Sequence, residues 1–101
     1  MRISPEQREA IRRTVREVFG PEARVWLFGS RARDELRGGD IDLYVELPQA
    51  PDLHARLDLE ARAWLALQRR LGERRIDLVT RVPGEAERPI DRIARETGIE
   101  L

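Results

Sequence analysis

Two aspartates one residue apart, Asp40 and Asp42, interrupt an otherwise apolar run that continues through Ile41, Leu43, Tyr44 and Val45. In a strand, residues i and i+2 face the same side. The two carboxylates therefore project together, while Ile41, Leu43 and Val45 line the opposite face. Aspartate is disfavoured in strand interiors, so finding it twice on one side of an apolar strand calls for a chemical reason. Upstream, the apolar run Val25-Trp26-Leu27-Phe28 ends in Gly29-Ser30. A phosphate-sized Gly-Ser turn beside paired carboxylates is what metal-dependent phosphoryl or nucleotidyl chemistry requires.

Downstream, Ile76-Asp77-Leu78-Val79 repeats the pattern of a carboxylate inside a short apolar run. If this strand lies beside the one carrying Asp42, then Asp40, Asp42 and Asp77 converge. Close carboxylates raise one another's pKa unless a cation neutralises them. An oxygen-only ligand set points to Mg²⁺, with Mn²⁺ as the alternative, and away from zinc. Two such ions roughly 3.5–4 Å apart stabilise both the attacking and the leaving oxygen of an in-line displacement. Gly29 lets the backbone approach a phosphate, and a helix capped by Ser30 aims free N–H groups at it. Arg31 and Arg33 lie in that first turn, within reach of the outer phosphates. Each feature alone has a plainer use: a surface Asp-x-Asp, an ordinary turn, or an Asp77 that pairs with Arg74 or Arg75. Their order along the chain favours a site.

The 101 residues suffice for one domain, 1–101, with a single modest core. Net charge is zero, so no overall field favours nucleic acid or a membrane; Arg69-Arg70 and Arg74-Arg75 could form a basic patch, but a solvated helix end is the commoner use and direct nucleic-acid binding is not expected. All 19 basic residues are arginine, and cysteine is absent, which excludes disulfides, thiol catalysis and cysteine metal sites. No apolar run approaches membrane-spanning length and none resembles a signal segment, so the expected location is cytoplasmic.

Ser4-Pro5-Glu6-Gln7 predicts a helix opened by a capping box, with Ile11, Val15, Val18 and Phe19 on one face and Gly20-Pro21 as its stop. Strands are expected over Arg24–Gly29, Asp40–Leu47 and Arg75–Arg81, with a brief helix over Arg31–Leu36 and a turn at Gly38-Gly39. A long helix runs from Asp52 to Leu71, with Leu53, Leu57, Ala61, Trp64 and Leu71 on its expected core side. A last helix from Pro89 carries Ile90, Ile93 and Ala94 to Gly98, and Ile99-Glu100-Leu101 adds an edge strand. The fold class is α/β (α+β), a small mixed sheet of three to four strands covered by helices. Trp26 and Trp64 are read as core, Tyr44 as packing, and His54 as a solvated surface residue. Trp64, Leu65 and Leu67 exceed what one narrow face buries, which predicts that part of the long helix meets another subunit.

Phe28-Gly29-Ser30-Arg31-Ala32-Arg33, followed by Gly39-Asp40-Ile41-Asp42-Leu43, resembles the signature of minimal nucleotidyltransferases of the DNA polymerase β-like superfamily. The resemblance extends through Asp77 and the final helix. It implies the polymerase β-like nucleotidyltransferase core, with Asp40, Asp42 and Asp77 as catalytic and metal-binding residues and Gly29, Ser30 and Arg33 holding the triphosphate. The implied reaction is attack on the α-phosphate of ATP, or another nucleoside triphosphate, with release of pyrophosphate. Small members of this family resemble the antitoxin half of two-gene modules, paired with a helical HEPN-domain protein. The implied function is therefore transfer of AMP to a hydroxyl, a tyrosine of that partner. The alternatives are a non-catalytic stoichiometric antitoxin and nucleotidyl transfer to a small-molecule hydroxyl.

Overall fold

The computed structural model describes residues 3–29 and 40–101. Helix α1 (Pro5–Phe19) starts as its sequence dictates: the Ser4 hydroxyl accepts from Gln7 N at 3.0 Å, and Ser4 N donates to the Gln7 side chain at 2.9 Å. Together the two bonds satisfy donors that a helix start leaves free. Gly20, at φ 107°, ends it. Strand β1 (Arg24–Phe28) and strand β2 (Ile41–Glu46) pair antiparallel, with Phe28 opposite Asp42. Helix α2 (Leu53–Leu71), capped by the Asp52 carboxylate, then crosses over to strand β3 (Ile76–Arg81), which pairs with β2 in parallel. Parallel neighbours need a crossover of this kind. Helix α3 (Pro89–Thr97) leads to the two-residue edge strand β4 (Ile99–Glu100), antiparallel to β1. The four-stranded sheet runs in the order β3-β2-β1-β4.

The sheet has two unlike faces. Val25, Leu27, Ile41, Leu43, Val45 and Ile76 pack against Ile11, Val15 and Phe19 of α1 and Ala63, Leu67 and Leu71 of α2. Truncating a fully buried member of this core, such as Leu67, costs about 2–5 kcal/mol. The other face is smaller: Trp26, Phe28 and Tyr44 pack against Ala94 of α3, with Trp26 and Tyr44 edge-to-face at 5.7 Å. Strand alternation puts Asp42 and Asp77 on this second face, with Asp40 immediately ahead of β2. Because β3 lies beside β2, Asp42 and Asp77 become direct neighbours.

The core side of α2 differs from expectation. Ala63, Leu67 and Leu71 are buried and Leu59 packs against the core, while Leu53, Leu57, Ala61, Trp64 and Leu65 stand exposed. Both sets follow helical spacing, so periodicity alone offers two faces. Tertiary bonds decide between them: Arg56 donates to the Thr80 hydroxyl and carbonyl, which turns its side of α2 toward β3. Trp64 is 41% exposed, not core, although its indole N–H still reaches the Ile76 carbonyl at 3.2 Å. On α3, Ile93 is likewise exposed. His54 is exposed, as expected, and no described helix is long and apolar enough to cross a membrane.

Candidate active site

Strands β2 and β3 bring Asp42 and Asp77 into register as direct neighbours. Parallel strands lie about 4.8 Å apart, so side chains on the same face at paired positions are in reach of each other. Asp40, at the entry to β2, is half-exposed, as is Asp77, whereas Asp42 sits deeper. Burial, then the hydrogen bond and the charge of Asp77, then the charge of Asp40, push the Asp42 carboxyl up to about 6. Arg75 opposes that rise. Its Nε lies 3.8 Å from Asp40 and 3.7 Å from Asp77. Thus the simpler pairing available to Asp77 is present, and it also takes in Asp40.

Gly29 closes the same site from β1. Its φ is +75°, a conformation that L side chains rarely adopt. A Cβ added here would fall 2.3 Å from Asp42 Oδ2. The chain just past β1 therefore comes close to the deepest carboxylate, and only glycine leaves room. Ser30, Arg31 and Arg33, the expected helix over 31–36 and the Gly38-Gly39 turn lie outside the described residues.

Carboxylate oxygens alone are the donors of a hard divalent ion. Among the described residues no three acidic or histidine side chains stand ready-made as a ligand set. The donor chemistry nevertheless fits a hard divalent ion, whose charge would offset the repulsion that Asp77 and Asp40 add to burial in raising Asp42.

The family model for the nucleotidyltransferase domain matches residues 8–98, from within α1 to just past the end of α3. The chain belongs to the nucleotidyltransferase domain family. Two solved structures share the fold of this nucleotidyltransferase: crystal structures of the toxin-antitoxin MntA-HpeT. One carries a Tyr-to-Ala substitution, is 24% identical and has a TM-score of 0.63, with 93% of this chain and 69% of that one covered. The other carries two Asp-to-Glu substitutions, is 22% identical and has a TM-score of 0.63, with 93% and 70% covered. No curated protein matches the chain. Nucleotidyltransferase domains typically use divalent metal ions, in keeping with the donor chemistry above.

Sequence reasoning missed one polar centre on the same sheet face. Asp91, wholly buried, accepts from the Tyr44 hydroxyl at 2.8 Å, from Arg81 at 2.7 Å and from both the backbone and the guanidinium of Arg88. The Arg88 hydrogen bonds hold its carboxyl well below the usual range. The Tyr44 hydroxyl, through burial and that carboxylate, is pushed up to about 12. Tyr44 is thus a packing residue with its phenol tied down. The available signal was an acidic residue in the first turn of α3, with Arg81 and Arg88 preceding it in sequence.

Proposed function

We propose that residues 1–101 act as one minimal nucleotidyltransferase domain that transfers AMP from ATP, with Mg²⁺, to a hydroxyl of a partner protein. The partner is a helical HEPN-type toxin, the acceptor a tyrosine, and the outcome is neutralisation. The observation that carries the chemistry is the register of Asp42 with Asp77 beside Gly29. The partner reading draws on the likeness to the MntA-HpeT toxin-antitoxin structures. Asp40, Asp42 and Asp77 would hold two divalent ions, which when bound supply positive charge to the triphosphate. Gly29, Ser30 and Arg33 hold the triphosphate tail. Asp77 helps take the proton from the attacking hydroxyl. A bond forms between that oxygen and the α-phosphorus, the bond from the α-phosphorus to the bridging oxygen breaks, and pyrophosphate leaves.

The exposed stripe Leu53, Leu57, Trp64 and Leu65 on α2 supports a docked partner. The test is intact-mass analysis of the protein that co-purifies with this chain, before and after ATP and Mg²⁺. One or more adenylate units gained by the partner, and none with Asp42→Asn, is the expected result. A retained partner with no gain in mass leaves the second reading, neutralisation by binding. In that case Asp42→Asn neutralises as well as the native chain at equal stoichiometry.

A further inference from the structure

Arg75 differs from its neighbour Arg74 and from Arg81 and Arg88 in how its side chain is held. Arg81 and Arg88 hold the buried Asp91 through short, multiple hydrogen bonds, and Arg74 is tied to the Leu71 carbonyl at 2.8 Å. The Arg75 side chain is instead 72% exposed, and its Nε is 3.8 Å from Asp40 Oδ2 and 3.7 Å from Asp77 Oδ2. Those separations exceed hydrogen-bond length, so the guanidinium is drawn by charge and gripped by neither carboxylate. Its backbone is fixed: the Arg75 carbonyl accepts from Ile41 N at 3.0 Å, anchoring its root to β2. A rooted backbone with an exposed cationic tip keeps the charge near Asp40 and Asp77 without a short hydrogen bond to either.

The oxygens it approaches belong to the same two carboxylates that a divalent ion would take. Arginine cannot give up its charge by losing a proton, so it leaves an ion's position only by moving. We propose that Arg75 is a tethered counter-charge that a divalent cation must displace from Asp40 and Asp77, lowering the site's cation affinity. This rests on the reading of Asp40, Asp42 and Asp77 as the metal-holding set. The native chain thereby avoids presenting bare clustered carboxylates, and cation binding becomes an exchange of one positive group for another.

The experiment titrates Mn²⁺ calorimetrically into the full chain and its Arg75→Gln, Arg75→Lys and Asp42→Asn variants at mildly alkaline pH, with circular dichroism confirming each fold. In parallel, arginine Nε–H signals are followed by NMR as Mg²⁺ is added, the Arg75 signal being the one missing in Arg75→Gln. Arg75→Gln is expected to bind Mn²⁺ roughly three- to tenfold more tightly, the size of one or two exposed charge contacts. Arg75→Lys stays close to the native affinity, and the Arg75 signal shifts with Mg²⁺. Unchanged or weaker binding by Arg75→Gln, with binding abolished in Asp42→Asn, overturns the role of Arg75 and leaves the metal set standing. Native binding no tighter than that of Asp42→Asn overturns both.

Discussion

Asp42 and Asp77 face one another across the parallel pairing of β2 and β3, and Gly29 of the neighbouring strand end leaves no space above Asp42 for even a methyl group. Both facts follow from the sheet order, because β2 lies between β1 and β3. A carboxylate on a central strand is thereby shielded from above and crowded from the side. That placement is unfavourable for folding and useful for holding a cation.

Replacing Asp42 should therefore stabilise the metal-free fold. The folded-state pKa is raised to about 6, above the value near 3.9 of an unfolded chain. The fold thus favours the protonated form, and the stability that Asp42 allows at low pH is lost as pH rises through that window. Asp42→Asn removes this loss. Discounting for solvent screening, the gain at pH 7.5 is about 1 kcal/mol, or roughly 4–8 °C in Tm. At pH 4 the two proteins should melt alike in thermal scans with chelator present.

Gly29→Ala should act in the opposite direction. It forces a side chain into positive φ and against Asp42 Oδ2. The expected cost is about 1–3 kcal/mol by urea denaturation, together with loss of nucleotidyl transfer. A fully active, equally stable Gly29→Ala would remove the close approach from the account.

Asp91 contributes stability that acid removes. Its carboxyl is held low by Arg88, so its contribution is complete above the unfolded value near 4 and fades as pH falls below it. Asp91→Asn leaves Arg81 and Arg88 without their buried partner and should cost about 3–5 kcal/mol at pH 7. The difference from the native chain should shrink at pH 3, as urea melts at the two pH values will show.

The sequence made the ends of the elements and the face of β2 legible and left the face of α2 ambiguous. Ser4, Pro5 and Gln7 predict the start of α1, Gly20 its stop, and Asp52 and Gly72 bound α2, because caps are local chemistry. The alternation Asp40, Asp42, Tyr44 against Ile41, Leu43, Val45 predicts which side of β2 is buried beneath α1 and α2. Which stripe of α2 faces inward was not legible, since Leu53, Leu57 and Trp64 compete with Leu59, Ala63 and Leu67 at the same period. The choice is made by tertiary packing against α1 and the sheet, together with contacts such as Arg56 to Thr80, 24 residues apart in sequence. The cluster at Asp91 was hidden for the same reason, as its partners lie on β2, β3 and the start of α3. The candidate carboxylates could be read because each interrupts an apolar run, whereas the approach of Arg75 to both Asp40 and Asp77 is a product of strand pairing.

The exposed stripe on α2 gives a prediction separable from chemistry. Leu57 is 55% exposed and outside the core, so Leu57→Glu should change stability by no more than about 0.5 kcal/mol. Co-purification of the partner protein should nonetheless be lost, while Mn²⁺ binding stays native. Retention of the partner at native yield would move the docking surface elsewhere.

The central claim is nucleotidyl transfer by Asp40, Asp42 and Asp77, and labelled ATP tests it most directly. The chain with its partner is given Mg²⁺ and ATP labelled at either the α- or the γ-phosphate, and label on protein is measured. The account predicts transfer of the α label only, with the γ label released in pyrophosphate, and no transfer by Asp42→Asn. Transfer of the γ label, or α-label transfer undiminished in Asp42→Asn, would contradict it.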